Sequence, residues 1–291
     1  MQHYRLGYGQ RMARTRALFL ALSRRGPYRV LRGDLGFGGV RGTVYTPASG
    51  LGLAAVAFGR DWLTAAPLYA GTLAHLASWG LVAAAPDTQR GLLPSALTAA
   101  NDLQRTLDIL CEIRLGSGGI SVDPARLAVA GHGLGGSAAV FAAAPDAGRG
   151  VQAAVAVFPS VTKPPVETAA AALTVPGLVL STPDDNTSLR TTALTVGRAW
   201  NNAVVREVPK AAHGALAEKS IISRSLGVLT PSGRTRRVVR VLMTGFLLYQ
   251  LTGDKKYRLF ADPESVLPHT VVPDLSVEPA EWGKRIAALL R

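Results

Sequence analysis

The sequence predicts an α/β domain whose mostly parallel sheet is covered by helices on both faces. Three observations point to it. Short apolar runs bounded by turn residues recur along the chain, longer segments of helical periodicity alternate with them, and 291 residues at 48% hydrophobic content suffice for one large core.

Taken in order, residues 1–27 read as a basic N-terminal arm, with a packed helix as its structured form, and residues 28–291 as a single domain. Seven strands are expected at Gly42 to Thr46, Leu53 to Phe58, Val82 to Pro86, Leu127 to Ala130, Ala153 to Phe158, Gly177 to Ser181 and Val204 to Val208. Between the third and fourth, Ser95 to Arg114 places Ala100, Leu103, Leu107, Leu110 and Cys111 on one stripe. Asp102, Arg105, Asp108 and Glu112 fall elsewhere, so the segment is an amphipathic helix. Leu189 to Asn201 and Arg236 to Gln250 also carry helical spacing, the latter stopping at Gly253. The longest apolar run, Val238 to Leu251, contains Arg240, Thr244 and Gln250 and is too short to span a bilayer; it reads as a buried helix. No internal repeat is visible.

The formal charge of +13 is uneven. Arg5, Arg11, Arg14, Arg16, Arg24, Arg25, Arg29, Arg32 and Arg41 face only Asp34 over the first 41 residues, and Arg234, Arg236, Arg237 and Arg240 form a second cluster. Such asymmetry suits an acidic protein or an anionic membrane surface, and equally a solvated face. Cys111 is the one cysteine, so no intrachain disulfide forms, and Met1 to Gln10 lack the apolar core of a signal peptide. The expected location is the cytoplasm, with a membrane-peripheral position as the alternative. His3, His75, His132, His213 and His269 are dispersed, and no Gly-Lys-Ser/Thr phosphate loop is present. Neither a metal nor another cofactor is expected. Nucleic acid is disfavoured as a partner, because no stacking module accompanies the arginines.

The most informative stretch is Leu127-Ala128-Val129-Ala130-Gly131-His132-Gly133-Leu134-Gly135-Gly136-Ser137, an apolar strand running into a small-residue helix start. A G-x-S-x-G nucleophile elbow has this setting, with glycines where strand and helix pass closely and the central side chain thrust out above the sheet. Here the centre is Gly133, which has no atom able to attack a carbonyl. A glycine-rich turn of another origin, or a phosphate-cradling loop, is the competing reading. Two later segments favour the elbow: Asp184 or Asp185 after the sixth strand, and His213 after the seventh, reproduce the order nucleophile, acid, histidine. His132 is not a replacement nucleophile, because the residue before the elbow position points away from the cleft, and Ser137 on the next helical turn serves packing or capping.

From Leu18 to Pro263 the chain resembles the bacterial cutinase and polyester-hydrolase family of the α/β-hydrolase superfamily, close to actinobacterial triacylglycerol lipases and related to dienelactone-hydrolase-like proteins. The resemblance rests on Leu35-Gly36-Phe37-Gly38-Gly39 with Gly42-Thr43-Val44-Tyr45-Thr46-Pro47, on Gly131-His132-Gly133-Leu134-Gly135-Gly136, and on Leu247 to Pro263 with Thr252-Gly253-Asp254-Lys255-Lys256-Tyr257. It implies the α/β-hydrolase fold. It also implies Asp185 as triad acid, His213 as triad histidine, Gly133 at the serine position, and an oxyanion hole from the backbone N–H groups of Leu134 and Arg60. Phe58-Gly59-Arg60 and Phe158-Pro159-Ser160 depart from the family's aromatic substrate platform, so its polymer substrates do not carry over.

A catalytically impaired hydrolase-like protein that binds a small acyl or ester-like ligand, or a protein, is therefore the favoured expectation. What outlasts the loss of one triad member is roughly 10³–10⁴-fold over water. The first alternative is a carboxylic-ester hydrolase, either a serine esterase in which glycine has replaced the serine or one in which His213 and Asp185 activate a water near Gly133. The second is a basic peripheral membrane or envelope-associated protein using Leu18, Phe19, Leu20 and Leu22 beside Arg14, Arg16, Arg24 and Arg25.

Overall fold

In the computed structural model, residues 2–62, 64–89, 91, 94–218 and 233–276 are described. The side chains of residues 2–11, including Arg5 and Arg11, and residues 277–291 of the expected domain lie outside that description. Eight strands form one sheet in the order β1-β2-β4-β3-β5-β6-β7-β8. They are β1 (Val30–Asp34), β2 (Gly42–Pro47), β3 (Gly50–Gly59), β4 (Val82–Pro86), β5 (Ile120–His132), β6 (Ala153–Val157), β7 (Gly177–Ser181) and β8 (Ala203–Glu207). From β4 through β8 every neighbouring pair is parallel, while β2 runs antiparallel to both β1 and β4.

Alternation along the strands assigns each face its helices. Val56, Phe58, Ala83, Ala85, Ala128 and Ala130 point into one core with α1 (Gln2–Leu22), α2 (Ala70–Ser78) and α7 (Gly233–Thr252). Ala55, Ala57, Val82, Ala84, Leu127 and Val129 point into the other, covered by α3 (Ala96–Glu112), α4 (Leu134–Ala142), α5 (Val166–Ala171) and α6 (Ala193–Ala199). Central strands such as β4 and β6 are buried throughout, which is why they read as continuous apolar runs. Alanine is a weak strand former, but its small side chain lets helices lie close on both faces.

All seven expected strands are present, two with the expected bounds (Val82–Pro86 and Gly177–Ser181) and five with shifted ends. β5 starts at Ile120, seven residues before the expected start, because Asp123-Pro124 interrupts the apolar pattern without ending the pairing with β3. β1, an additional edge strand, was hidden by its polar composition: Arg32, Gly33 and Asp34 are exposed. The α3 helix is close to its expected range, and Ser95 caps it by accepting from the Thr98 N–H at 3.2 Å. The expected helix over 189–201 shrinks to α6, because residues 182–192 are spent on turns around Asp185 and Ser188. In the N-terminal arm, α1 buries Thr15, Phe19 and Leu22, one turn apart, while Arg14, Arg16, Leu20 and Ala21 stay exposed. Gly26 then donates to Ser78 Oγ at 2.9 Å, tying the end of the arm to α2.

Among the described residues no helix is long and apolar enough to cross a membrane.

Candidate functional site

The C-terminal ends of the parallel strands are where open α/β sheets place their ligand sites, and the elbow stands there. β5 ends at His132, Gly133 adopts φ +56° and ψ −122°, and α4 begins at Leu134. That backbone conformation is costly for any residue with a side chain and is the kind of strain concentrated at functional sites. It is held from several sides: Gly133 N–H donates to Val157 O at 2.9 Å, and Gly133 O accepts from Gly136 and Ser160 at 2.9 and 3.1 Å. The close passage that the glycine spacing implied is also present, since a Cβ on Gly135 would lie 2.2 Å from the Gly59 carbonyl group of β3.

The space above Gly133 is taken by another residue. A Cβ built on Gly133 would lie 2.0 Å from Asp61 Oδ1 and 2.3 Å from Asp61 Cγ. Asp61 belongs to the loop after β3 and reaches across to the elbow. Its Oδ1 accepts from the Leu134 N–H at 3.0 Å and from the Trp62 N–H at 2.8 Å, and its Oδ2 lies 3.2 Å from His213 Nε2. The Leu134 N–H, assigned to an oxyanion hole by the resemblance, is thus engaged by a carboxylate of the chain itself.

A polar chain beneath Asp61 fixes its position. Asp61 N–H donates to Tyr69 Oη at 3.1 Å, and Tyr69 Oη lies 2.8 Å from His132 Nδ1. His132 Nε2 lies 2.5 Å from the carbonyl oxygen of His213. A carbonyl only accepts, so Nε2 carries the proton and Nδ1 accepts from the tyrosine hydroxyl. Buried His132 therefore braces the His213 loop from below, its ring stacked at 5.7 Å and 29° on that of His213. Burial lowers its pKa to about 4, with proximity to His213 acting the same way and Asp61 opposing it. Burial likewise pushes the Tyr69 hydroxyl well above its ordinary range.

Burial opposes ionisation of Asp61, but the His213 hydrogen bond, the nearby imidazoles and the Leu134 N–H together outweigh it and hold its pKa at about 2. At neutral pH the carboxylate is charged, and His213 Nε2 is the proton donor between them. His213 Nδ1 is buried and makes no hydrogen bond among the described residues. Asp61 consequently stands on the nucleophile's side of the imidazole, at Nε2, rather than on the acid's side, at Nδ1.

The structure brings Gly133, Leu134 and His213 together and joins them through Asp61. Asp185 is buried, at 2% exposure, and its two oxygens accept from the first turn of α6: Ala193 N–H at 3.1 Å and Leu194 N–H at 2.9 Å. The Asp185–His213 bond of a triad is not formed. A carboxylate at a helix start is well placed to serve as its cap, and two backbone donors fix it there. Arg60 contributes through its guanidinium, which pairs with Asp87 at 3.1 Å, donates to Thr64 O at 3.0 Å and bonds Gln89 O. These bonds pin the Asp61 loop to the segment after β4. Ser137 donates to Ser160 O at 2.6 Å, the packing role expected of it.

A small cleft opens beside the carboxylate, lined by Asp61, Trp62, Thr88, Gln89, Leu103 and Leu134 among others. Trp62 is exposed at its edge. Among the described residues no group of three His, Cys, Asp or Glu side chains is placed to hold a metal ion. Sequence reasoning passed over Asp61, the residue after Arg60 in the loop from which the resemblance draws a backbone donor. The signal that could have found it is the coincidence of an acidic residue in that loop with an elbow that has no side chain.

No family model and no curated protein matches the chain.

Proposed function

We propose that this chain is an α/β-hydrolase-like protein in which acyl-enzyme chemistry has been closed off, and that it acts by binding a small neutral acyl or ester-like ligand in the cleft beside Asp61. The observation that carries the reading is that the donors converging on the elbow, Leu134 N–H and His213 Nε2–H, already end on the Asp61 carboxylate. An ester carbonyl placed there would meet an anion where an oxyanion hole must present unoccupied donors. Support for the hydrolase fold comes from the strand–Gly133–helix turn, the parallel sheet around it, and the chain order of Gly133, Asp185 and His213.

The water-activating alternative is less well supported by this geometry. A general base needs a lone pair facing the water, whereas His213 directs Nε2–H at Asp61, and its Nδ1 is buried. The chain should show no burst and no turnover of p-nitrophenyl acetate or butyrate above the buffer rate, and no labelling by a fluorophosphonate. Neutral short-chain esters should raise its melting temperature, and the matching carboxylates, repelled by Asp61, should not. Turnover that disappears in His213→Ala would overturn the proposal in favour of water activation. A burst would overturn it in favour of a nucleophile elsewhere in the cleft.

A further inference from the structure

The basic arm and the segment after α7 meet on the side of the sheet opposite α3–α6, and there they form a groove of about 900 Å³. One wall is α1, through Arg14, Ala17, Leu18 and Ala21, a single helical stripe. The facing wall is the segment after α7, through Lys255, Lys256, Arg258, Leu259 and Val266. The groove's apolar lining is Met12, Ala17, Leu18, Ala21, Leu259 and Val266, and its charged lining is Arg14, Lys255, Lys256 and Arg258 together with Asp262 and Glu264. Apolar side chains also point outward: Leu20 on the solvent face of α1 is 56% exposed and Val266 is 59% exposed. Of the groove's basic residues Arg14, Lys255, Lys256 and Arg258 are all exposed, as is Glu264; Arg16 on α1 and Arg24 and Arg25 just past its end are exposed outside the groove. Asp262 is engaged internally, accepting from Glu264 N–H and Ser265 Oγ at 3.0 Å each.

We infer that this face docks on an anionic lipid bilayer, with the arginines and lysines at headgroup level and Leu20, Val266 and the apolar groove residues against the acyl boundary. The basic residues continue beyond the groove, with Arg16 on α1 and Arg24 and Arg25 just past its end, more than one bound anion would engage, and Leu20 and Val266 face outward. Both features suit an extended anionic surface. A solvated basic face alone would not need Leu20 and Val266 exposed among the charges. The inference is independent of the Asp61 site, which lies at the strand ends and contributes no residue to the groove.

The test is co-sedimentation of the full chain with vesicles of phosphatidylcholine, alone and mixed with phosphatidylglycerol. Binding is expected to the mixed vesicles only, and to fade as salt is raised. Each basic residue near an anionic surface contributes about fivefold to partitioning, so Lys255→Glu/Lys256→Glu/Arg258→Glu should reduce binding by at least roughly 100-fold. Arg105→Glu/Arg114→Glu, exposed on and just beyond α3 across the sheet, should change it little. Leu20→Ser/Val266→Ser should weaken vesicle binding while leaving retention on a polyglutamate column unchanged. No binding to mixed vesicles overturns the inference. So does equal loss from the charge reversal at Arg105 and Arg114, which would mark net charge alone as the cause. An unaffected Leu20→Ser/Val266→Ser variant would overturn it in favour of an acidic protein partner, and saturable binding of monomeric dodecyl sulfate without vesicle binding in favour of a single-ligand pocket.

Discussion

Adding a side chain at residue 133 perturbs the site where it is most tightly determined. A Cβ there would overlap the Asp61 carboxylate, at 2.0 Å from Oδ1, so Gly133→Ser must expel Asp61 from its cage. Expulsion breaks the bonds from Leu134 N–H and His213 Nε2–H. Hydrogen bonds to a charged group contribute about 1.5–3 kcal/mol each, and the carboxylate, already 13% exposed, regains part of that from water, which leaves a net loss of about 2–4 kcal/mol. A side chain at φ +56° and ψ −122° adds about 1–3 kcal/mol of backbone strain. The total is on the order of 5 kcal/mol, or a fall of about 10 °C in Tm for a chain of this size.

Asp61→Ala alone loses the same cage bonds without the strain. In Gly133→Ser/Asp61→Ala the overlap is gone, so the double variant should be more stable than the sum of the single effects by about 2 kcal/mol. Thermal melts of the four proteins measure this coupling. Additive shifts would refute the reasoning, because they would mean that residues 61 and 133 do not compete for one space. Ester hydrolysis gives a second readout. Among the four, only the double variant presents a serine beside Leu134 N–H and His213 with no carboxylate at 61 to compete for them, and its rate should be limited by the missing acid at Nδ1 to roughly 10⁴-fold below an intact triad.

Acid should destabilise the protein in two stages. His132 and His75 are both lowered to about 4 by burial, so the unfolded chain takes up their protons first; stability is lost as pH falls from 6.5 towards 4, with proton uptake on unfolding that decreases by about one in His132→Gln. Asp61, lowered to about 2, adds stability that is present above 3.8 and is lost as pH falls towards 2, worth about 2 kcal/mol, and Asp61→Asn should remove this second stage from the pH dependence of Tm. Tyr69→Phe strips the hydroxyl between Asp61 N–H and His132 Nδ1 and should cost about 2–5 kcal/mol in chemical denaturation; a loss below about 0.5 kcal/mol would show that the chain beneath Asp61 is not structural. Asp185→Ala should cost about 1–2 kcal/mol through the lost α6 cap and leave the His213 imidazole NMR signals in place, whereas a triad acid would shift them.

The fold was more legible in the sequence than the site. Buried parallel strands such as Val82–Pro86 and Ala153–Val157 advertise themselves as short apolar runs, because both of their faces are covered. An edge strand like Val30–Asp34 has solvent on one side and keeps no such signature. The elbow was readable through its glycines, whose spacing reports how closely β5, β3 and α4 pass. Asp185 was misleading for a physical reason: an acid after a strand end serves equally to orient an imidazole or to cap the next helix, and only the position of α6 decides. Asp61 stood out only as an acid beside Arg60 in a loop, because its contact with Leu134 spans 73 residues. Local pattern does not carry pairings of that range.

The relation between Gly133 and Asp61 alters what the glycine means. Were the β5–α4 turn merely without a side chain, the donors around it would face an open cleft, and a serine could be introduced without cost elsewhere. Instead, a carboxylate at 61 and a side chain at 133 exclude one another, since both need the same volume. Asp61 is also held independently of the elbow, by Tyr69 Oη at its own N–H and by the Arg60 ion pair with Asp87 behind the loop. The carboxylate therefore does not collapse into a gap by accident: the loop is built to present it there, and glycine is what lets the β5–α4 turn receive it. It follows that Gly133→Ala, with no nucleophile to offer, should destabilise the protein nearly as much as Gly133→Ser, and that Asp61→Ala should relieve both to a similar extent. Relief of the serine variant alone would mean that its hydroxyl is recovering bonds with Leu134 and His213, and that the overlap is not the governing term.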